Sequence, residues 1–537
     1  MYTPTVDSSQ MTLFGLLRAN AVADGHAVFL KSEDGDVTYQ GVDDVVGEFA
    51  GGLLAVGVAP GTTVALLLDN SLDYVYLFFA INRLGAICVP INTAYTGEFL
   101  RHALSQTHAK VMVLDDKYAA RLHDLDDLPF LEIVIIRNPT EAVLPAAQNS
   151  WRFSDWPDLR RAGSAPSSEA GRPEDVSMIV FTSGTTGPAK GAAHTNMAWY
   201  QAATETNERR DVREDDVFHV ALPLFHAGAW AIGVFSALVT GLPVAIDTHF
   251  SVSEFWDRIR RFGATQLLTT SAMHMWLLEA PERPDDAANP ARVWAPVPLD
   301  ASLHDRMKSR FGIEHLWFTY GQTEVLLISS TIAGHPYKHG SAGWARPSLE
   351  VAAVDDDGNL VGPDVAGELV VRPKRPHGVM VGYWNDDSAT VRATKGLWYH
   401  TGDTGRVDAD GEIFFIDRRA DYMRVRGENV SAFEVESCAC EHPDVVEAAA
   451  YAIPAGLSAE DDIMLVAIKS EPSDLSEGEL ARFCAERLPR FAVPRYIEFV
   501  ANLPHTPTNR VMKYQLRERG VTEATWTRPD SRFRTPR

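Results

Sequence analysis

The chain has 537 residues, of which 45% are hydrophobic, enough for two or more domains with cores of their own. Its formal net charge of −23 argues against a nucleic acid or an anionic membrane surface as its main partner, because both require clustered Lys and Arg. Four cysteines, Cys88, Cys438, Cys440 and Cys484, are too few for a disulfide framework, and the lone Cys-Ala-Cys lacks the second pair of a zinc site, so all four are expected as reduced core thiols.

Residues 1–17 carry no basic segment ahead of their short apolar patch, so a secretory signal is not expected and a cytoplasmic location fits. From Phe14 to Ala86, helix-like stretches alternate with short apolar runs such as 64–68 and 86–89. The rhythm continues through a helix-like 97–106, a strand-like 111–114 and the apolar run 131–136, and it predicts parallel strands with covering helices.

The apolar run 176–181 then breaks into Thr182, Ser183, Gly184, Thr185, Thr186 and Gly187, followed by Pro188, Ala189, Lys190 and Gly191. This reads as a buried strand ending in a hydroxyl-rich turn, with a helix-like segment beyond it. Backbone N–H groups, hydroxyls and the Lys190 ammonium suit phosphoryl oxygens, whereas an ordinary surface loop is the bland alternative. It is not a P-loop, since Gly184 and Gly187 are three apart and Gly191 follows the lysine.

Next comes 217–226, a strand running into Leu-Pro-Leu-Phe-His, with His226 where strand becomes helix; it is either a histidine satisfied by backbone or a pocket wall. The apolar run 228–246 is divided by Gly241 and Pro243 into helix, turn and short strand, so it reads as core and no membrane insertion is expected. Strands are expected at 267–270, 293–299 and 316–320, the last closing in Tyr320-Gly321-Gln322-Thr323-Glu324. An aromatic ring, a hydroxyl and a carboxylate thus arrive together at a strand's carboxyl end, where ligands of open α/β sheets bind.

Beyond this point glycine-spaced short strands at 350–354, 367–372, 396–403 and 411–418 suggest a small barrel or sheet. Asp403 after Thr401-Gly402 is expected in a turn, as a plain Asx-turn residue or as an acceptor for a ribose diol. A charged break at 417–422 separates a smaller α+β region, with strands at 445–453 and 462–469 and a capping box, Ser476 to Glu479, opening a helix.

Seven of these stretches, in this order, resemble the acyl-adenylate-forming superfamily of acyl- and aryl-CoA synthetases, peptide-synthetase adenylation domains and beetle luciferases. They are 182–191, 222–226, 320–324, 367–372, Thr401-Gly-Asp403, Asp417-Arg418 and Thr506-Pro-Thr-Asn-Arg510. The resemblance implies a large N-terminal domain of α/β subdomains with a small β-barrel-like part (1–418) and a smaller mobile α+β C-terminal domain (419–537), hinged near Arg419-Ala420. It also implies a two-step reaction with ATP, Mg2+ and coenzyme A, in which a small carboxylic acid becomes acyl-AMP and then a thioester. Segment 425–436 is most similar to ligases of the carnitine/crotonobetaine and small-acid type. A carrier protein, an amine or oxygen as acceptor is the alternative, and a catalytically inactive nucleotide-binding protein a further one. A homodimer is compatible with the sequence.

Carried over residue by residue, the resemblance implies that Thr182, Ser183, Gly184, Thr185, Thr186 and Gly187 wrap the β/γ-phosphates beside Lys190. Thr323 would meet the α-phosphate and Glu324 would hold Mg2+. Tyr320, with Gly321 and Gln322, would lie beside adenine, and Asp403 and Arg418 would hold the ribose. Segments bearing His226, Gly228, Trp230, Ser271, Met273 and Trp317 would line the acid pocket, closed enough to favour a short, branched or aromatic acid. Four positions depart from the family: Ala189 for the usual proline, Ala420 for Asp or Lys at the hinge, a glycine-poor 294–298, and Arg510 where the family has its adenylation lysine, with Lys513 as the fallback.

Overall fold

The computed structural model describes residues 12–125, 128–139, 151–161, 163, 171–182, 189–297, 303–418, 422–425, 428–454, 461–488, 492–505 and 511–529. Two parallel-rich sheets carry the large domain. One is eight-stranded, ordered Gly382–Tyr383, Gly191–Thr195, Val176–Phe181, Ile87–Pro90, Thr63–Leu67, Val111–Asp115, Ile133–Arg137, Arg152–Asp155. The other is seven-stranded, ordered His315–Leu316, Val293–Val297, Gln266–Thr270, Phe218–Val220, Val244–Ile246, Val28–Ser32, Gly35–Thr38. Thr63–Leu67 and Val111–Asp115 are buried along their whole length, as strands covered on both faces must be. Helices Leu13–Asp24, Tyr39–Ala55, Leu72–Arg83 and Asn196–Asn207 cover one face in a core shared with both sheets, and Gly97–Thr107 covers the other face of the eight-stranded sheet in a second core.

The apolar run 228–246 divides as expected, with one addition. Ala229–Val234 is a π-helical turn running into the helix Phe235–Thr240, which Gly241 ends in the left-handed region before the strand Val244–Ile246. Among the described residues, no helix is long and apolar enough to cross a membrane.

The β-rich segment forms a five-stranded sheet of Leu349–Val354, Gly367–Pro373, Trp398–Val407, Thr394–Lys395 and Ile413–Arg418, with a core of its own. The smaller domain has a four-stranded sheet of Val445–Pro454, Asp461–Lys469, Tyr496–Phe499 and Trp526–Thr527, and its apolar clusters draw only on residues from Met423 onward. Its helix Glu477–Ala485 starts as expected, Glu479 accepting from both the backbone N–H and the hydroxyl of Ser476 at 3.0 and 2.6 Å.

The cysteines are all free. Cys88, Cys438 and Cys484 are buried, but Cys440 is exposed at the last position of the helix Ala432–Cys440, so only three of the four are core thiols. The hinge expected at 419–420 lies outside the described residues.

Candidate active site

The glycine-rich stretch joins the two strands of a β-hairpin. Val176–Phe181 runs antiparallel to Gly191–Thr195 with Phe181 opposite Gly191, and the Thr182 N–H donates to the Lys190 carbonyl at 2.9 Å to close the neck. The tip, 183–188, lies outside the described residues. This corrects the expected strand-turn-helix order, because the helix Asn196–Asn207 begins one strand later, capped by Thr195. The reason is packing: Gly-Ala-Ala at 191–193 is small enough to be a buried middle strand, and a Cβ on Gly191 would stand 2.7 Å from Ile179 Cγ2. The helix that follows therefore does not begin at this loop.

The strand expected at 316–320 is two short ones. His315–Leu316 edges the seven-stranded sheet, whereas Thr319–Tyr320 pairs with Ser329–Ser330, so the chain changes sheets at Trp317-Phe318. Gly321 follows where a Cβ would stand 2.1 Å from the Leu326 carbonyl oxygen, a position only glycine can fill. Thr323 and Glu324 are held from other segments. His194 Nε2 lies 2.7 Å from the Thr323 carbonyl, and the Met380 N–H donates to the Glu324 carbonyl at 2.9 Å. Burial lowers the His194 pKa to about 4, so the ring is neutral, and facing a carbonyl its Nε2 carries the proton and donates it.

Side chains complete the arrangement. The Tyr383 hydroxyl donates to Glu324 Oε1 at 2.7 Å, and Lys190 Nζ lies 5.2 Å from the centre of the Tyr383 ring. Burial first, and then the Glu324 charge, raises the pKa of both Tyr383 and Tyr399, which keeps the two phenols protonated as donors. The Tyr399 hydroxyl donates a hydrogen bond to Gln322 Oε1 at 2.9 Å.

Asp403 is not in a turn. It lies inside the strand Trp398–Val407, just after Gly402 at φ +68°, and pairs in register with Arg418 of Ile413–Arg418. The left-handed glycine kinks the strand and turns the buried carboxylate toward 320–322. Asp403 Oδ2 accepts from the Tyr320 hydroxyl and from Gln322 Nε2, each at 2.6 Å. The Tyr320 ring, expected beside adenine, is buried and packs at 5.8 Å against Phe415. The structure thus brings Lys190, Tyr320, Gln322, Thr323, Glu324 and Asp403 to one place.

The acid-pocket candidates divide. His226 makes a tight turn, its N–H donating to the Pro223 carbonyl at 3.0 Å, and a Cβ on Gly228 would touch Leu222 and Leu268 at an ordinary 3.8 Å. Trp230 and Trp317, expected as pocket walls, are instead fully buried core residues with their indole N–H groups on the Leu224 and Thr331 carbonyls. Met273 is buried in helix Ser271–Glu279, and of the Ser271 side chain nothing is described. Asn70 locks the neighbouring loop, donating to the Leu222 and Asp247 carbonyls at 2.9 and 3.0 Å and accepting from the Leu224 N–H at 2.7 Å. Sequence reasoning missed Asn70, His194, Tyr383 and Tyr399. Arg510 lies outside the described residues, and Lys513 Nζ pairs with Glu436 at 2.7 Å.

The chain belongs to the AMP-binding enzyme family: the family model matches residues 17–384, and that of the AMP-binding enzyme C-terminal domain matches 434–510. It is 29% identical over 521 residues to the Humulus lupulus protein named "Probable CoA ligase CCL9", covering 94% of this chain and 96% of that one. It is 27% identical over 508 residues to the crotonobetaine/carnitine–CoA ligase of Salmonella paratyphi C, covering 93% and 97%. Among solved structures, o-succinylbenzoate CoA synthetase from Bacillus subtilis bound to its acyl-adenylate intermediate superposes with a TM-score of 0.81 at 25% identity, over 94% of this chain and 97% of that one. The same synthetase has been solved with ATP and a magnesium ion, at a TM-score of 0.79 and 26% identity, over 93% and 98%.

Proposed function

We propose that the chain is an AMP-forming acid–CoA ligase, and the observation that carries this is the convergence of the 182–190 hairpin neck, the 320–324 turn and Asp403. In the first step a carboxylate oxygen of the acid attacks the α-phosphorus of ATP, the bond to the β-phosphate breaks and pyrophosphate leaves. In the second the CoA thiol gives up its proton, sulfur bonds to the acyl carbon and AMP departs. Both leaving groups are good, so the protein's work is positioning and charge neutralisation. Lys190 and the hairpin tip receive the β/γ-phosphates, Thr323 the α-phosphate, and Asp403 with Arg418 the ribose hydroxyls. Arg510, brought by the small domain, meets the charge that builds on phosphorus.

Glu324 is the residue that would hold Mg2+. Among the described residues no group of three His, Cys, Asp or Glu side chains could hold a metal ion. A single carboxylate nonetheless suits a cation that takes its other ligands from phosphates and water. When bound, the ion would offset phosphate charge during the first step.

The domain boundary near 418–422 and rotation of the small domain between steps belong to the same reading, as does a cytoplasmic location. Every residue assigned comes from one chain, so the reading does not require a homodimer. Short, branched or aromatic acids are favoured over long fatty chains, in line with the crotonobetaine/carnitine and o-succinylbenzoate ligases that the chain resembles. ATP–pyrophosphate exchange across a panel of carboxylic acids tests this. Exchange is expected with acids of up to about ten carbons, and exchange best supported by palmitate, or by no acid, would contradict it.

A further inference from the structure

Tyr383 touches two opposite charges of the site with its two ends. Its hydroxyl is 2.7 Å from Glu324 Oε1, and its ring centre is 5.2 Å from Lys190 Nζ. The residue is 8% exposed and its backbone is fixed from several sides. Gly382–Tyr383 pairs antiparallel with Ala193 and Ala192, immediately beyond the hairpin neck. The Val381 N–H donates to Ala193 and the Trp384 N–H to Gly191, each at 2.8 Å, while the Tyr383 N–H donates to Thr390 Oγ1 at 2.9 Å. Just before this strand the Met380 N–H donates to the Glu324 carbonyl at 2.9 Å. Main chain and side chain of Glu324 are therefore both referred to segment 380–384, which pairs with the strand that follows the lysine.

A protonated phenol can only donate to a carboxylate, and so it selects one rotamer of Glu324. The face of the same ring attracts an ammonium, giving Lys190 a seat beside the carboxylate. We infer that Tyr383 is a positioning residue for the first half-reaction: its hydroxyl sets the Glu324 carboxylate and its ring seats the Lys190 ammonium, so that a divalent cation and the ATP phosphates meet both charges already in place. This deepens the ligase reading and rests on Glu324 being the metal carboxylate.

The two ends are separable. Tyr383→Phe removes the hydroxyl and keeps the ring, whereas Tyr383→Leu removes both. ATP affinity of the full chain is measured by calorimetry in EDTA and then with Mn2+ in place of Mg2+, with bound Mn2+ read by electron paramagnetic resonance. Tyr383→Phe is expected to keep metal-free ATP affinity within about twofold and to lose about tenfold of the gain that Mn2+ confers, the scale of one hydrogen bond to a charged group. Tyr383→Leu should in addition weaken metal-free binding about threefold or more, through Lys190. If that variant does not fold, Tyr383→Phe decides alone. Equal loss with and without metal in Tyr383→Phe, or no loss, overturns the inference. Glu324→Gln is measured alongside. If it loses the Mn2+ gain while Tyr383→Phe retains it, the tyrosine inference fails and the reading of Glu324 stands. If Glu324→Gln retains the gain, the metal reading fails and the inference falls with it.

Discussion

Tyr320 and Asp403, 83 positions apart in the chain, share a 2.6 Å hydrogen bond in which the phenol donates to carboxylate Oδ2. Gln322 Nε2 donates to the same oxygen at 2.6 Å, so two donors fix the rotation of a carboxylate buried in the middle of a strand. Tyr320→Phe removes one of them while keeping the ring against Phe415. Its KM for ATP should rise about tenfold, with the KM for the acid changed less than twofold, because one hydrogen bond to a charged group is lost on the nucleotide side only. Initial rates with each substrate varied in turn check this.

His194 gives a pH-dependent contribution to stability. Burial lowers its pKa to about 4 from the 6.5 of an unperturbed histidine, so between those values the unfolded chain binds a proton that the folded chain does not. Stability from this group is therefore complete above about pH 6.5 and declines as the pH falls toward 4, by about 3 kcal/mol in all. His194→Gln keeps an N–H for the Thr323 carbonyl but does not titrate. Urea unfolding at pH 7.5 and pH 5 should show the wild-type chain losing more stability than the variant, and equal losses would contradict the assignment.

The part of the site that the sequence revealed is the part written in neighbouring residues. The strand before the glycine-rich tip, the Tyr-Gly-Gln-Thr-Glu turn and the Ser476 capping box each declare themselves within about ten positions. What stayed hidden is held by long-range contacts: His194 meets Thr323 across 129 positions and Tyr383 meets Glu324 across 59, and no local period encodes either. The strand Gly191–Thr195 has no local signature, because its small residues carry no strand signal, and its place between two neighbouring strands decides its conformation. Asp403 read as a turn residue because Gly402 precedes it, yet the same glycine kinks a strand that continues to Val407.

Lys513 and Arg510 compete for one role, and the structure bears on the lysine. Its ammonium pairs at 2.7 Å with Glu436, which also accepts from the Ala450 N–H at 2.7 Å, so the lysine ties a helix start to the helix and sheet of the small domain. Arg510→Ala is expected to slow adenylation by about 10² or more, as loss of one transition-state donor does, while thioester formation from supplied acyl-AMP persists. Lys513→Ala should instead lower the stability of the small domain with adenylation changed less than about tenfold. Single-turnover rates of the two half-reactions separate the outcomes, and the reverse pattern would assign the role to Lys513.

Ala420→Pro tests the domain rotation. Proline fixes φ near −65° and removes an N–H, so a hinge at this position would be locked in one arrangement. One half-reaction should survive and the other be lost. Equal loss of pyrophosphate exchange and thioester formation would place the hinge elsewhere.

The central claim, that this chain joins a carboxylic acid to CoA through an adenylate, is tested most directly by product stoichiometry with ATP, CoA and the acid that best supports exchange. One AMP and one pyrophosphate are expected for each thioester, with pyrophosphate formed from ATP and acid alone and AMP release accelerated by CoA. Formation of ADP and phosphate, or AMP release that CoA does not accelerate, would contradict it.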